Sequence, residues 1–308
     1  VGAEHGGSVD WHAPLRGEAL ALSELPEDER AALTARLGRL VADIRAEAAR
    51  LALADAGLDY ADVGQAYVGY VYGDSTCGQR ALYQVGATGI PIVNVNNNCS
   101  TGSTALYLGA QAIRGGLADC VMALGFEKMQ PGSLGGGADD RESPMKRHIL
   151  ALNEIDDMQF PVAPWMFGAA GREHMRKYGT TAEHFAKIGF KNHKHSVNNP
   201  YAQFQDEYSL DDILGAKMIS DPLTKLQCSP TSDGSAAVVL ASEEFVARRE
   251  LSGQAVEIVG QAMTTDFAST FDGSAANIIG YDMNVQAAQK VYQQSGLGPE
   301  DFQVIELH

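Results

Sequence analysis

The 308-residue sequence has no C-x-x-C pair. Its four cysteines, Cys77, Cys99, Cys120 and Cys228, are widely spaced. That spacing matches neither a zinc site nor a disulfide scaffold, so no metal is expected and the setting is read as reducing and intracellular. No apolar run reaches the length of a membrane-spanning helix, and the opening residues do not read as a signal peptide. Positive charge is scarce: Lys+Arg 23 against Asp+Glu 39 gives a net charge of −16, which argues against a nucleic-acid partner. A local basic patch that meets a phosphorylated ligand is still compatible with that balance. What is abundant is ordinary for a globular chain: 45% hydrophobic and 20% charged residues allow one large α/β unit or two domains.

The elements alternate. Pro26 to Ala54 has the helical period, with acidic residues crowding its start and Gly57 as a C-terminal stop. Gln65–Tyr72 reads as a strand, Cys77–Gly86 as a short helix, Pro91–Val95 as a strand, Ser100–Arg114 as a helix and Cys120–Gly125 as a strand. This β-α-β-α-β order predicts a mostly parallel sheet with covering helices. A weak strand is read at Leu20–Leu22. From Glu127 to about Leu226 the chain turns rich in Met, His, aromatics, Gly and Pro, and helices are expected rather than strands, over Gly171–Tyr178, Ala182–His193 and Leu210–Leu214. A strandless insertion of this length usually carries binding function. Beyond it, Asp233-Gly234 turns into a strand at Ala236–Ala241 and Glu243–Glu250 is helical; strands are expected at Val256–Gly260 and Phe302–Leu307, with a helix at Asn284–Ser295 between them. An internal repeat is visible: Gly57, Leu58 and Asp62 recur as Gly296, Leu297 and Asp301 at a constant spacing of 239 residues.

Cys99 follows the polar turn Asn96-Asn97-Asn98, whose side chains are suited to satisfying the turn's backbone groups, and stands at the N-terminus of the helix that begins at Ser100. Unpaired N–H groups and the helix dipole favour a thiolate there, so Cys99 is a candidate nucleophile. A buried structural cysteine is the alternative. Cys77, Cys120 and Cys228 read as buried and inert. His193 and His195 are two residues apart at a helix end, the wrong spacing for a metal pair on one face.

The segments NVNNNCSTGSTAL (94–106), GGLADCVMALGFEKMQPGSLG (115–135), HFAKIGFKNHKHSVNNPYAQFQDEYSL (184–210) and CSPTSDGSAAVVLASEEF (228–245) closely resemble the thiolase domain of sterol carrier protein X and its bacterial lipid-transfer homologues. VGYVYGDSTCGQRALY (68–83) fits as well, and the likeness covers roughly residues 40–308. The resemblance implies an α/β thiolase fold: two βαβαβαββ halves in αβαβα layers, with a loop domain inserted in the first. The boundaries expected are 1–126 and 227–250 for the first half, 127–226 for the inserted loop domain, and 251–308 for the start of an incomplete second half.

The resemblance also implies chemistry. Cys99 would take the acyl group of a 3-oxoacyl-CoA and pass it to free coenzyme A, a co-substrate rather than a resident cofactor. Glu306-Leu307-His308 matches the opening of the family's Glu-Leu-His-Asp-Cys-Phe stretch, which makes His308 a second catalytic candidate that binds the thioester oxygen. The acid/base Cys of that stretch and the later Gly-His-Pro motif are not among these residues, so the chain is expected to be a fragment. Ser229 falls where thiolases touch the CoA pantetheine, and is otherwise an ordinary turn serine. Lys194, with Lys187 and Lys191, either meets CoA phosphates or lies on a solvated face. Met166 and Phe167 either line the acyl pocket or pack in the core. A homodimer joined at the sheet edge near the Cys99 strand is expected, in the cytoplasm of a bacterium or the peroxisome of a eukaryote. The alternatives are a thiolase-fold aldolase acting on steroid side-chain CoA, or a non-catalytic chain that binds acyl-CoA or lipid.

Overall fold

The structure is a computed structural model that describes residues 26–129 and 142–307. Helix α1 (Glu27–Ala56) has three acidic residues in its first turn and stops at Gly57, whose left-handed backbone (φ 65°) turns its N–H back onto Ala54 and Leu53. The chain then enters β1 (Gln65–Gly69), α2 (Cys77–Leu82), β2 (Ile92–Val95), α3 (Thr101–Arg114) and β3 (Cys120–Glu127). After the inserted segment come β6 (Gly234–Ala241) and α8 (Glu243–Arg248). The four strands form one sheet in the order β2-β1-β3-β6. β1 is parallel to both β2 and β3, and β6 returns antiparallel to β3.

Strand alternation divides the core. Ala66, Val68, Cys120, Met122, Leu124 and Phe126 face α1, α2 and Phe245 of α8. Tyr67, Val121, Ala123 and Leu240 face Ala105 and Ala112 of α3. Both faces are covered, so the central strands read as continuous apolar runs. Val121, Met122 and Leu124 are fully buried, each contributing about 1.5–3 kcal/mol of transfer free energy.

The inserted segment holds α4 (Lys146–Asn153), α5 (Val162–Tyr178), α6 (Ala182–Ser196) and α7 (Leu210–Gly215). It is not strandless: β4 (Met218–Ser220) and β5 (Leu223–Thr224) form a small antiparallel hairpin. α5 begins nine residues before the expected Gly171. Its first turn carries Pro164, which helix starts tolerate, and buried Trp165 donates to Asp156 Oδ2 at 2.7 Å. Asp156 in turn holds Arg172 at 2.5 Å. α4 and α5 pack through Leu152, Trp165 and Ala169 onto Ala275 and Ile278 of α9 (Ala275–Ile278).

The expected strands at Val256–Gly260 and Phe302–Leu307 are not formed. A strand needs a ladder partner, and neither stretch has one among the described residues. The Ile258 carbonyl accepts from Arg114 instead, and the Gln261 N–H donates to Gln294. Val304 and Ile305 are 85% and 69% exposed. The repeat does have a structural counterpart. α1 and α10 (Tyr281–Ser295) both end on a left-handed glycine, Gly57 and Gly296. Each is followed by a one-turn 3₁₀ helix, Tyr60–Asp62 and Pro299–Asp301. In each an aspartate accepts from a backbone N–H three residues back, Asp62 from Asp59 at 3.0 Å and Asp301 from Gly298 at 2.8 Å. The weak strand at Leu20–Leu22 lies outside the described residues. No helix among the described residues is long and apolar enough to cross a membrane.

Candidate active site

The turn that carries Cys99 starts where β2 ends. Asn98 has a positive φ of 47°, a backbone that asparagine tolerates better than most residues. Its conformation is held from both sides: Asn98 N–H donates to Asn96 Oδ1 at 3.2 Å, and Asn98 O accepts from Thr101 N at 3.1 Å and Thr101 Oγ1 at 2.5 Å. Thr101 Oγ1 also accepts from Asn97 N–H at 2.7 Å. Such over-determined strain is characteristic of functional turns. Of the three asparagines only Asn96 satisfies the turn's backbone through its side chain; Asn97 donates to the Thr104 hydroxyl, and the hydroxyls of Ser100 and Thr101 supply the remaining bonds.

Cys99 stands on the outside of this turn and is exposed, not a buried structural thiol. Ser100 caps α3, and Cys99 precedes it. Helix geometry leaves the first N–H groups without an intrahelical acceptor; Gly102 and Ser103, both exposed, carry two of these in the first turn after Cys99. α3 comes this close to the sheet because two glycines let it. A Cβ on Gly69 would lie 2.6 Å from Thr101 Cγ2, and one on Gly125 would lie 3.3 Å from the Gly102 Cα. Tyr72 is an electrostatic neighbour of Cys99; burial first, then the Glu127 carboxylate and Cys99, hold its phenol above the usual range. Met263 brings its sulfur to 3.9 Å from Asn97 Nδ2 and from Thr104 Oγ1. Neither Tyr72 nor Met263 was foreseen, and the only sequence signal for Tyr72 is its place just after β1.

The other cysteines differ from one another. Cys77 and Cys120 are buried, and burial, then Asp119, pushes the Cys120 thiol up to about 11. Cys228 is only half-buried, and burial raises its thiol as well. Cys228 and Ser229 line a cavity of about 370 Å³ together with Phe185, Ile188, His193 and Phe204. His193 Nε2 meets Leu226 O at 2.8 Å, and Tyr208 packs edge-on against its ring. His193 thus belongs to a cavity wall, while Lys194 and His195 point to solvent. Lys187 pairs with Glu183 at 2.7 Å. Met166 packs against the Trp165 core and Phe167 is 52% exposed; neither lines the Ser229 cavity. His308 lies outside the described residues. Among the described residues no group of three or more His, Cys, Asp and Glu side chains could hold a metal.

Residues 34–244, which contain the glycine-fitted α3 and the mixed sheet it sits on, match the thiolase N-terminal domain family. The chain belongs to that family. It is 60% identical over 269 residues to sterol carrier protein 2 of Oryctolagus cuniculus, covering 86% of this chain and 49% of that protein. The chain thus spans about half the length of the curated relatives it matches first. Among solved structures, human mitochondrial 3-ketoacyl-CoA thiolase superposes with a TM-score of 0.60 at 16% identity, over 86% of this chain and 73% of that one. An Ltp2–ChsH2(DUF35) aldolase superposes with a TM-score of 0.64 at 24% identity, over 84% of this chain and 66% of that one. These likenesses are to the fold: a mixed α/β thiolase fold.

Proposed function

We propose that the protein from which this chain comes is an acyltransferase that cleaves 3-oxoacyl-CoA thiolytically through a Cys99 acyl-enzyme. The observation that carries this is the exposed Cys99 at the start of a 14-residue helix, in a turn braced by the Asn98–Thr101 hydrogen bonds. The Cys99 thiolate attacks the C3 carbonyl carbon, and the electron pair moves to the oxygen. Collapse of that intermediate breaks the C2–C3 bond; the acyl group stays on Cys99, and the acetyl-CoA or propionyl-CoA enolate takes up a proton. The thiolate of free coenzyme A then attacks the Cys99 thioester and releases the shortened acyl-CoA. The exposed N–H groups at the start of α3 suit the developing oxyanion. His308 is assigned to the thioester oxygen by its motif. Ser229 in the 370 Å³ cavity is assigned to the pantetheine arm, and Lys194, exposed on α6, to the phosphates.

Residues 1–126 and 227–250 form the first thiolase half in this reading, 127–226 the inserted loop domain, and 251–308 the opening of the second half. β2 lies at a sheet edge, which suits a homodimer joined there. The deciding assay is CoA-dependent cleavage of a 3-oxoacyl-CoA by the full-length protein, with Cys99→Ala as the control. Replacing the nucleophile is expected to abolish turnover, a loss of several orders of magnitude. Cleavage that persists in Cys99→Ala without added coenzyme A favours the aldolase chemistry named for one structural neighbour. Binding of acyl-CoA without any cleavage favours a non-catalytic role.

A further inference from the structure

We infer that Glu127 is a positioning residue for Cys99, acting through the segment after β1; the inference rests on the proposal that Cys99 is the nucleophile. β1 pairs with β3 only as far as Gly69 and Gly125. Beyond that point the β1 chain leaves the ladder, and its next N–H groups need acceptors. Glu127 supplies them. Its carboxylate accepts from Val71 N at 2.8 Å, Tyr72 N at 3.2 Å and Lys128 N at 3.2 Å. Strand alternation puts Glu127 on the same sheet face as Gly125, the face on which α3 begins.

The same segment is tied on its other side to the nucleophile turn. Tyr70 N–H donates to Val95 O at 3.4 Å, and Asn96 Nδ2 donates to Val71 O at 3.5 Å. Asn96 Oδ1 then accepts from Asn98 N–H, the residue whose positive φ precedes Cys99. A continuous brace therefore runs from the Glu127 carboxylate through residues 71–72 and Asn96 to the strained Asn98. Neighbouring β3 residues do not share this role. Phe126 points to the opposite face, where it stacks on Tyr70 with centroids 5.2 Å apart and lies under the Arg45 guanidinium.

The test is the rate of Cys99 carboxamidomethylation by iodoacetamide as a function of pH, located by mass spectrometry, in the 308-residue chain. Glu127→Gln keeps one accepting oxygen and turns an N–H₂ toward the other donors; Glu127→Ala removes both acceptors. Labelling of Cys99 at neutral pH is expected to fall about tenfold in Glu127→Ala and less in Glu127→Gln. Faster labelling, or a lowered melting temperature with an unchanged Cys99 profile, overturns the inference. Asn96→Ala cuts the brace on its exposed side and is expected to slow Cys99 in the same way, so it carries the test if a Glu127 variant does not fold. If wild-type Cys99 labels no faster than Cys228, the nucleophile proposal fails rather than the brace.

Discussion

At the scale of the residue, two cysteines of one chain stand in opposite surroundings. Cys99 is exposed at a helix start, whereas Cys120 is 2% exposed on the central strand. Burial raises Cys120 to about 11 from an ordinary 9.0. The folded state therefore prefers the neutral thiol, and the unfolded chain releases its proton first as pH rises. The stability this gives is fully present below pH 9 and is lost as pH climbs through about 11. Over that window, urea unfolding is expected to show a loss on the order of 2–3 kcal/mol that Cys120→Ala lacks. Equal pH profiles for wild type and Cys120→Ala would show that the thiol is not held neutral. Cys99 could be singled out in the sequence because a polar turn before a helix is visible there. The exposure of Cys228 in a cavity wall was not legible, because it depends on α6 and on residues 202–204 meeting it in space.

At the scale of the element, the seat of α3 depends on what is missing from β1 and β3. Gly69 faces Thr101 so closely that a methyl group would overlap both its side chain and its carbonyl oxygen, at 2.6 and 2.8 Å. Gly69→Ala is expected to push the first turn of α3 off the sheet, at a cost of about 1–3 kcal/mol in denaturant unfolding, and to slow Cys99 labelling. Gly234→Ala, where nothing lies within 4 Å of the added methyl group, is the control and is expected to stay within about 0.5 kcal/mol of wild type. A Gly69→Ala protein as stable as the control would mean that α3 is not seated through this contact. The central elements were legible because their periods and stops agree: α1, α3, β3 and β6 fall within about two residues of where the sequence suggested. The failures share a cause. Val256–Gly260 and Phe302–Leu307 have the composition of strands, but a strand is a property of a pair. α4, the first half of α5 and the β4–β5 hairpin sit among Pro, Gly and Met residues that blur any period, and their places are set by packing around Trp165 and by a two-residue turn at Asp221-Pro222.

At the scale of the whole molecule, two surfaces bear on the expected association of the chain. Among the described residues β2 is an edge strand, which suits pairing with a second copy that closes after two chains. The run from Phe302 to Leu307 is different: Val304, Ile305 and Leu307 are 85%, 69% and 84% exposed, and Val256 is 91% exposed. Exposed apolar residues with no ladder partner associate without a defined stopping point. The net charge of −16 slows this at low ionic strength and does so less as salt screens it. The 308-residue chain is therefore expected to sediment as species larger than a dimer, increasingly so with added salt, and to bind a hydrophobic dye. The double variant Val304→Lys, Ile305→Lys is expected to lose those larger species and most of the dye binding, while any dimer formed through β2 remains at the same concentration. A wild-type chain that sediments as a single monomer and unfolds cooperatively would show that neither surface drives association. Larger species that persist in the double variant would move their origin from this run to another surface.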